Sequence, residues 1–545
     1  MTIQYSGNLL VKVRNRPFAG LLAGPQPLTI PGYRLEPLFK AHHAGPMFSA
    51  AQPADHWLTA TASAGRDRHP WDEAHRVARA AGYSMYVEPD LLQEAPGAPA
   101  APATAAQQGY DKDWPPATLV SPGWHLAAGF TGFAQVRSTA TGNGVRIAHL
   151  DTGYWPPQVS TPRHIRRDLG YNFYENNTNT TDPGTSGPLR NPGHGAATLA
   201  LVSGNTVDLI YQGMQYGGDI GGAPDAEVVP VRIGPSVVHF FSSAMAQGMD
   251  YVLGPSGDPA NSNPANKCDV VTISHGGLPS ESWADAVNNL YDAGIVIVAA
   301  SGDNYSELPT HLTVYPSAFN RVVTAVGATY DKTPYVTSKL GELQGNWGPD
   351  DVMKKAIAAY TPNVAWMLFR TTDGFNMDGA GTSASTPQIA AACALWVQLY
   401  GGSYPAGWQR VEACRLALFQ SADPGNGSTT YLGNGILDVP KMLDPVRAAQ
   451  IQQQVEANQV QPSPVDSVSF PFLRLLLHAD PPGSEEERMY ETEAAQLVRR
   501  STNRELVDGF HDFTRGVALR RARVARLRRL LKAEPDISDT LAAKL

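Results

Sequence analysis

The sequence of 545 residues predicts an α/β fold in which a doubly wound parallel sheet is flanked by helices, with a small N-terminal α+β module and a helical C-terminal extension. Strand-like apolar runs alternate with helix-like stretches through the middle of the chain, and a Pro- and Ala-rich segment precedes that region. Apolar residues make up 42% of the chain and charged residues only 17%, which favours one large buried unit.

The small α+β module is expected over residues 1–94. The apolar run at 9–13 predicts a strand, residues 71–81 place Trp71, Val77 and Ala81 on one helical face, and residues 84–88 predict a second strand. Residues 95–109 are rich in Pro and Ala and cannot pack a core, so we expect an exposed, semi-rigid linker there.

The parallel sheet is expected within residues 110–443. Its strand-like runs are residues 145–150, 228–233, 270–273, 295–300 and 322–326, and helix-like stretches such as 243–253 and 283–292 lie between them. Ligands of such folds bind beyond the carboxyl ends of the strands, so functional motifs are expected directly after these runs.

The helical extension is expected over residues 444–545. Helical stretches are predicted at 448–460, 485–500 and 503–533, the last with an apolar period at Val517, Val524, Leu527 and Leu531 and with arginines on its other faces. Residues 499–532 carry a net charge of +8 in a chain of −8, so any role in binding an anionic partner belongs to this segment. We expect this basic helix to dock a protein partner or to be a solvated face, and the overall negative charge argues against nucleic acid.

Three short motifs follow strand runs or open helices, and each contains one side chain suited to nucleophilic catalysis. They are residues 147–153 with Asp151, residues 193–198 with His194, and residues 379–387 with Ser383. A serine at the start of a buried helix lies where the helix dipole and free N–H groups favour negative charge. Its hydroxyl needs an adjacent base, and a histidine base needs a carboxylate that holds it in one tautomer.

The order Asp, His, Ser resembles the subtilisin-like serine peptidases, the subtilases. The resemblance covers about residues 110–443 and includes lesser landmarks at 222–226, 273–277 and 433–438. It implies a serine endopeptidase in which Asp151 orients His194, His194 is the general base and Ser383 is the nucleophile that forms an acyl-enzyme. The alternative is a catalytically weak member of this fold that serves in binding or regulation.

One position departs from the pattern of the family, which usually has Asn directly after the glycine at position 302. Here Asp303 follows the glycine and Asn304 comes one position later. Three interpretations stay open: a protonated Asp303 donates to the oxyanion, Asn304 turns in to do so, or the site is weakened. The sedolisin-like relatives also have Asp at this position, but they use a glutamate base where this chain has His194.

The resemblance also implies the substrate contacts and an inhibitor. An extended peptide or protein substrate would pair as an added strand with Ser274, His275 and Gly276, and His275 would either shape a side-chain pocket or lie in a solvated loop. The N-terminal module resembles a subtilase propeptide, an intramolecular inhibitor that would be removed by autoprocessing near residues 95–109. The alternative is a permanent accessory domain.

Cofactor and compartment are less constrained by the sequence. No cofactor is required for this chemistry, and calcium is an expectation from the resemblance alone. Cys268, Cys393 and Cys414 lack the spacing of a metal site and are expected to be buried thiols. No apolar run is long enough for a membrane span and no Sec signal is visible, so we expect a cytoplasmic protein as encoded, with export by another route left open.

Overall fold

The computed structural model of the protein describes residues 4–18, 21–22, 27–41, 53–63, 68–93, 121–184, 191–305, 308–337 and 342–545. The strands are β1 (Tyr5–Pro17), β2 (Tyr33–Pro37), β3 (Pro53–Ala62), β4 (Met85–Gln93), β5 (Arg146–Asp151), β6 (Tyr171–Asn172), β7 (Thr206–Tyr211), β8 (Met214–Asp219), β9 (Glu227–Arg232), β10 (Phe240–Phe241), β11 (Val270–Ile273), β12 (Val296–Ala300), β13 (Asp303–Tyr305), β14 (Val323–Ala328), β15 (Leu343–Gly345), β16 (Ala356–Tyr360), β17 (Val364–Met367) and β18 (Phe375–Gly379). The helices are α1 (Pro70–Ala80), α2 (Phe133–Val136), α3 (His194–Ser203), α4 (Ser242–Tyr251), α5 (Glu281–Asp292), α6 (Asp350–Met353), α7 (Thr382–Tyr400), α8 (Trp408–Ser421), α9 (Thr429–Leu432), α10 (Val439–Met442), α11 (Pro445–Glu456), α12 (Pro471–Leu477), α13 (Glu485–Arg500), α14 (Arg504–Thr514), α15 (Arg521–Lys532) and α16 (Asp539–Lys544).

A seven-stranded parallel sheet forms the centre of the molecule, in the order β16-β14-β12-β11-β5-β9-β6. Its strands are apolar on both faces because helices cover both. Ile147 and Val270 belong to the core around α7, whereas Ala148 and Val271 belong to the core around α4 and α5. The predicted doubly wound α/β class is confirmed.

The carboxyl edge of this sheet collects the three motifs. Asp151 is the last residue of β5, His194 is the first residue of α3, and Ser383 lies in the first turn of α7. Almost all of α7 is buried, since its sequence is dominated by Ala and other apolar side chains. The helix therefore packs through the core and presents only its N-terminus to this edge.

The N-terminal residues form a second sheet, in the order β10-β4-β1-β3-β2, with α1 alongside. The helix agrees with the one predicted at 71–81, whereas the strand expected at 84–88 is longer and reaches Gln93, where it pairs with Phe240 and Phe241. This sheet shares one continuous apolar core with α4 and α5. The linker predicted at 95–109 lies outside the described residues.

The C-terminal residues are helical, as predicted, and have a core of their own. The prediction of a single helix at 503–533 is wrong. The helix is interrupted between α14 and α15 around Gly516, whose φ is +73°. Val517 falls in this break and is 47% exposed, so only Val524, Leu527 and Leu531 of the predicted apolar period join the core. Among the described residues, no helix is long and apolar enough to cross a membrane.

Candidate active site

Asp151 and His194 are joined by a hydrogen bond at the carboxyl edge of the sheet. Nδ1 of His194 lies 2.8 Å from Oδ1 of Asp151, and the backbone N–H of Thr152 donates to the same oxygen at 2.7 Å. The glycine that follows His194 makes this approach possible, because a Cβ at Gly195 would lie 1.9 Å from the carbonyl oxygen of Gly153. The two glycine-containing motifs are therefore in direct contact.

The hydroxyl of Ser383 contacts the segment that follows β11. Ser383 Oγ donates to the carbonyl oxygen of Ser274 at 3.3 Å, and Ser274 Oγ donates to the carbonyl oxygen of Ser383 at 3.1 Å. Nε2 of His194 is buried and has no hydrogen-bond partner within the part of the chain that the structure describes. Ser383 Oγ and this nitrogen are therefore not hydrogen-bonded in the structure, and catalytic hydrogen bonds often form only when substrate is bound.

Three imidazoles surround the carboxylate of Asp151. In addition to His194, Nε2 of His149 lies 3.8 Å and Nδ1 of His275 lies 3.9 Å from Oδ2 of Asp151. Burial lowers the pKa of both His149 and His275 to about 4, so both are neutral at physiological pH. Burial alone would raise the pKa of Asp151, but the adjacent imidazoles outweigh it and lower that pKa.

His275 is therefore not a solvated loop residue, and its ring lies in the interior instead of an open pocket. It is only 2% exposed and meets the His194 ring edge-on at 5.9 Å between centroids. Its neighbour Ser274 lies beside Ser383. On the other side, Gly276 lies beside the segment around Tyr315, whose backbone pairs with that of Gly277. That an extended substrate pairs with this segment stays a prediction.

Two contacts of Asp151 were missed from the sequence. Oγ1 of Thr198 lies 3.1 Å from Oδ2 of Asp151 and 2.9 Å from Nε2 of His149. His149 precedes Asp151 by two residues on one strand, and Thr198 follows His194 by four residues on one helix. Each pair therefore shares a face of its element, and this spacing was the available signal.

Asp303 lies at the N-terminus of α7, next to Thr382. Its Oδ1 accepts from the backbone N–H of Thr382 at 2.9 Å, and its Oδ2 lies 3.5 Å from Oγ1 of the same residue. Desolvation by the surrounding protein raises the pKa of Asp303 to about 6, although the residue keeps an exposed surface in the cleft. A carboxyl group with this pKa is half protonated at about pH 6 and keeps its proton in roughly a tenth of molecules at pH 7, far more than an ordinary aspartic acid does.

Asn304 faces the other way. Its Nδ2 donates to Asn346 at 2.6 Å, its Oδ1 accepts from Gln344 at 3.0 Å, and the side chain is buried. Successive residues of β13 point to opposite sides, so only one of the two can face α7. The structure brings Asp303 to the nucleophile, and Asn304 to a buried amide cluster.

The N-terminal module ends beside the same strand end. Oε1 of Gln93, the last residue of β4, accepts from the backbone N–H of Leu278 at 2.8 Å, and Nε2 of Gln93 donates to Ser242 at 2.8 Å. The chain beyond Gln93 thus starts next to the segment that follows Ser274.

Metal-binding features are sparse in the described ranges. No group of three or more His, Cys, Asp or Glu side chains there is arranged to hold a metal ion. The three cysteines are buried free thiols. Calcium stays a prediction from the resemblance.

The middle of the chain is similar in sequence to known proteins. A family model described as the Subtilase family matches residues 142–435, just over half of the chain. Subtilisin DY of Bacillus licheniformis is 25% identical over 302 residues, which cover 55% of this chain and 90% of the relative. Subtilisin BL of Lederbergia lenta is 27% identical over 300 residues, again 55% of this chain and 90% of the relative. A solved structure of proteases from Pseudoalteromonas arctica superposes with a TM-score of 0.47 at 24% identity, covering 61% of this chain and 97% of that chain.

Proposed function

Because this chain belongs to the subtilase family, we propose that it is a serine endopeptidase which hydrolyses peptide bonds through an acyl-enzyme on Ser383. One observation carries the proposal to particular residues: the bond of 2.8 Å between Nδ1 of His194 and Oδ1 of Asp151. This bond places the proton of neutral His194 on Nδ1, so that Nε2 is the nitrogen which accepts a proton.

The reaction follows from this arrangement. Ser383 Oγ attacks the scissile carbonyl carbon while Nε2 of His194 takes the hydroxyl proton. Asp151 stays ionised and stabilises the imidazolium. His194 then gives the proton to the leaving amine, and a water molecule activated by the same nitrogen hydrolyses the ester of Ser383 and releases the acid product.

The negative charge of the tetrahedral intermediate needs two donors. The backbone N–H of Ser383 is one, as the first turn of α7 leaves its N–H groups without partners in the helix. The second is Asp303 in its protonated form, since its carboxyl group is held at the start of α7 by the backbone N–H of Thr382, the residue before Ser383. This assignment is supported by the raised pKa of Asp303 and by the engagement of Asn304 elsewhere.

We propose that the N-terminal module inhibits the peptidase domain that follows it in the chain. Glu88 of β4 accepts from the backbone N–H groups of Glu281 and Ser282 at 3.0 and 3.1 Å, so it caps α5. Asp90 accepts from the backbone N–H of Ser243 at 2.8 Å and caps α4. Carboxylates at helix N-termini are stabilising, and here they hold the module on the peptidase domain.

The position of Gln93 supports the same proposal. The chain leaves β4 beside Leu278, and its next residues are those of the linker. A strand that continues from Gln93 toward Ser383 would occupy the place of a substrate, and cleavage there would separate the module from residues 110–443.

The first experiment compares the intact mass of the purified chain with that of Ser383→Ala. We expect the unaltered chain to have been cut within residues 95–109 and the variant to be full length. Ser385→Ala is the matched control, because the hydroxyl of Ser385 donates to Ala359 on the far side of the helix, at 3.1 Å. It should be cut like the unaltered chain.

Labelling with a fluorophosphonate probe separates the remaining outcomes, because only an activated serine reacts. A full-length chain that is labelled at Ser383 is an enzyme that awaits a partner for processing. A full-length chain that is not labelled contradicts the proposed function and favours the binding role.

A further inference from the structure

Two backbone segments flank Ser383, and they are the continuations of neighbouring strands. Ser274 follows β11 and bonds to the backbone of Ser383 at 3.1 Å. Gly302 follows β12, and its N–H donates to Oγ1 of Thr382 at 3.2 Å. Since β11 and β12 are adjacent and parallel, the segments run side by side with a gap between them.

The side chain of Val314 occupies this gap. The backbone N–H of Val314 donates to the carbonyl oxygen of Ser301 at 2.9 Å, which ties the residue to the second segment. A Cβ at Gly276 would lie 2.1 Å from Cγ2 of Val314, and a Cβ at Gly302 would lie 2.9 Å from Cγ1. One isopropyl group therefore lies against both segments, and Val314 is half-buried.

The substrate residue before the scissile bond has to use the same gap. Its carbonyl carbon lies against Ser383 Oγ, and its carbonyl oxygen faces the N–H of Ser383 and Asp303. Its side chain, two bonds from the carbonyl carbon, then projects between the segments that flank Ser383. A branched or aromatic side chain in this place would overlap Val314, because packed groups in a protein leave little unfilled space.

We infer that Val314 restricts cleavage to bonds that follow a small residue, namely glycine, alanine or serine. The inference rests on the proposed function and names its substrate class. Residues 95–106 consist only of Ala, Pro, Gly and Thr, so the linker offers bonds of this class and none that follows a large apolar residue.

The test uses the full chain and a series of peptide anilides, Ala-Ala-Pro-Xaa, in which Xaa is Gly, Ala, Leu or Phe. Pocket contacts of a few methylene groups are worth about 10- to 200-fold in discrimination, so kcat/KM for Ala should exceed that for Phe by at least about tenfold. Val314→Gly opens the gap and should raise kcat/KM for Phe by about tenfold or more, with a change of about threefold or less for Ala. Val314→Thr has nearly the same shape and should keep the preference for Ala.

Each result decides. A chain that hydrolyses the Phe or Leu anilide as fast as the Ala anilide overturns the inference, and so does a Val314→Gly variant with an unchanged ratio. Labelling of Ser383 by a fluorophosphonate without hydrolysis of the Ala anilide also overturns it. If neither labelling nor hydrolysis occurs, the proposed function itself fails, and the inference fails with it.

Discussion

Asp303 has one carboxyl oxygen bonded to the backbone of Thr382, the residue before Ser383, and its second oxygen lies 3.5 Å from the hydroxyl oxygen of Thr382. At this position the protonation state of Asp303 determines whether the carboxyl group stabilises or destabilises the oxyanion. The protonated group donates to the oxyanion, whereas the carboxylate repels it. Since the pKa of Asp303 is raised to about 6, the proton is present below that pH and is lost as the pH rises through it.

Asp303→Asn tests this directly, because the amide has the same shape and donates at every pH. We expect kcat/KM of the unaltered chain to fall as the pH rises above about 6, and the variant to show no such fall. At about pH 8 the variant should be faster by about 10²-fold, the usual effect of one oxyanion donor. Steady-state kinetics between about pH 5 and pH 9 measure it.

Asp351→Asn is the control for that experiment, as the Asp351 side chain is 88% exposed on the surface. Its pH profile should match that of the unaltered chain. Equal profiles for Asp303→Asn and the unaltered chain would remove Asp303 from the oxyanion site.

The sequence predicted Asp151, His194 and Ser383 because each lies in a local motif at a strand end or helix start. It did not predict which of Asp303 and Asn304 faces α7, since a one-residue shift on a strand reverses the side to which a side chain points. The burial of His275 was also missed, because it depends on packing between elements distant in the chain.

At the scale of elements, the junction between β4 and the two helices beneath it carries a specific charge pattern. Glu88 is completely buried and accepts from Ser280 Oγ at 2.7 Å as well as from two backbone N–H groups of α5. Removing its charge keeps the volume but exchanges one acceptor oxygen for an amide that faces these donors. The substitution should therefore weaken the binding of β4 to α5 by more than the loss of one hydrogen bond, because the new amide group also faces donors.

We predict that Glu88→Gln lowers the affinity of the module for the peptidase domain. Breaking a buried charged hydrogen-bond pair at an interface costs about 2–5 kcal/mol, which is about 30-fold or more in a dissociation constant. The measurement is the recovery of anilide hydrolysis after dilution of the self-cleaved chain, which should be faster and more complete in the variant.

Glu36→Gln is the matched control on the same sheet, since the Glu36 side chain is 49% exposed and forms an ion pair with Arg34, which is itself on the surface. It should recover activity as the unaltered chain does. Recovery at the control rate in Glu88→Gln would mean that the helix cap contributes little to inhibition.

The sequence was a good guide to elements with a strong period and a poor one to their ends. The helix α1 agrees within one residue with its prediction, because Trp71, Val77 and their neighbours define a clear apolar face. The break at Gly516 was missed, since arginines on either side hide the interruption of the apolar period. The strands β2 and β3 were also missed, because the pairing of β3 with β1 and of β2 with β3 is a tertiary property.

At the scale of the whole molecule, the C-terminal helices join the other two parts. Gln496 of α13 accepts from the indole N–H of Trp71 at 3.0 Å and donates to the carbonyl oxygen of Pro279 at 2.8 Å. Asp72 of the module accepts from the backbone N–H of Thr540 at 2.9 Å. The extension thus holds the N-terminal module against the peptidase domain from outside.

We predict that Gln496→Ala loosens this arrangement, because it leaves two buried polar groups without partners. Each such group costs about 1–3 kcal/mol, so amides of β4 should exchange with solvent about tenfold faster or more. Hydrogen exchange is measured in the Ser383→Ala background, where the chain is not cut.

Gln452→Ala is the matched control, because Gln452 bonds only at the surface with Glu456, at 2.9 Å. Unchanged exchange of β4 in Gln496→Ala would show that the two hydrogen bonds of Gln496 contribute little to holding the module.

The contact between α13 and the N-terminal module can form only late in synthesis. A ribosome makes the module first, the peptidase domain second and the extension last, so the surfaces that Gln496 joins exist before Gln496 itself. During that interval the module is held by its contacts with the peptidase domain alone, among them the helix caps, the shared core and the pairing of β4 with β10. The module is therefore held more tightly after residues 485–500 leave the ribosome. Gln496 can form both of its hydrogen bonds only when the module and the peptidase domain are already in contact.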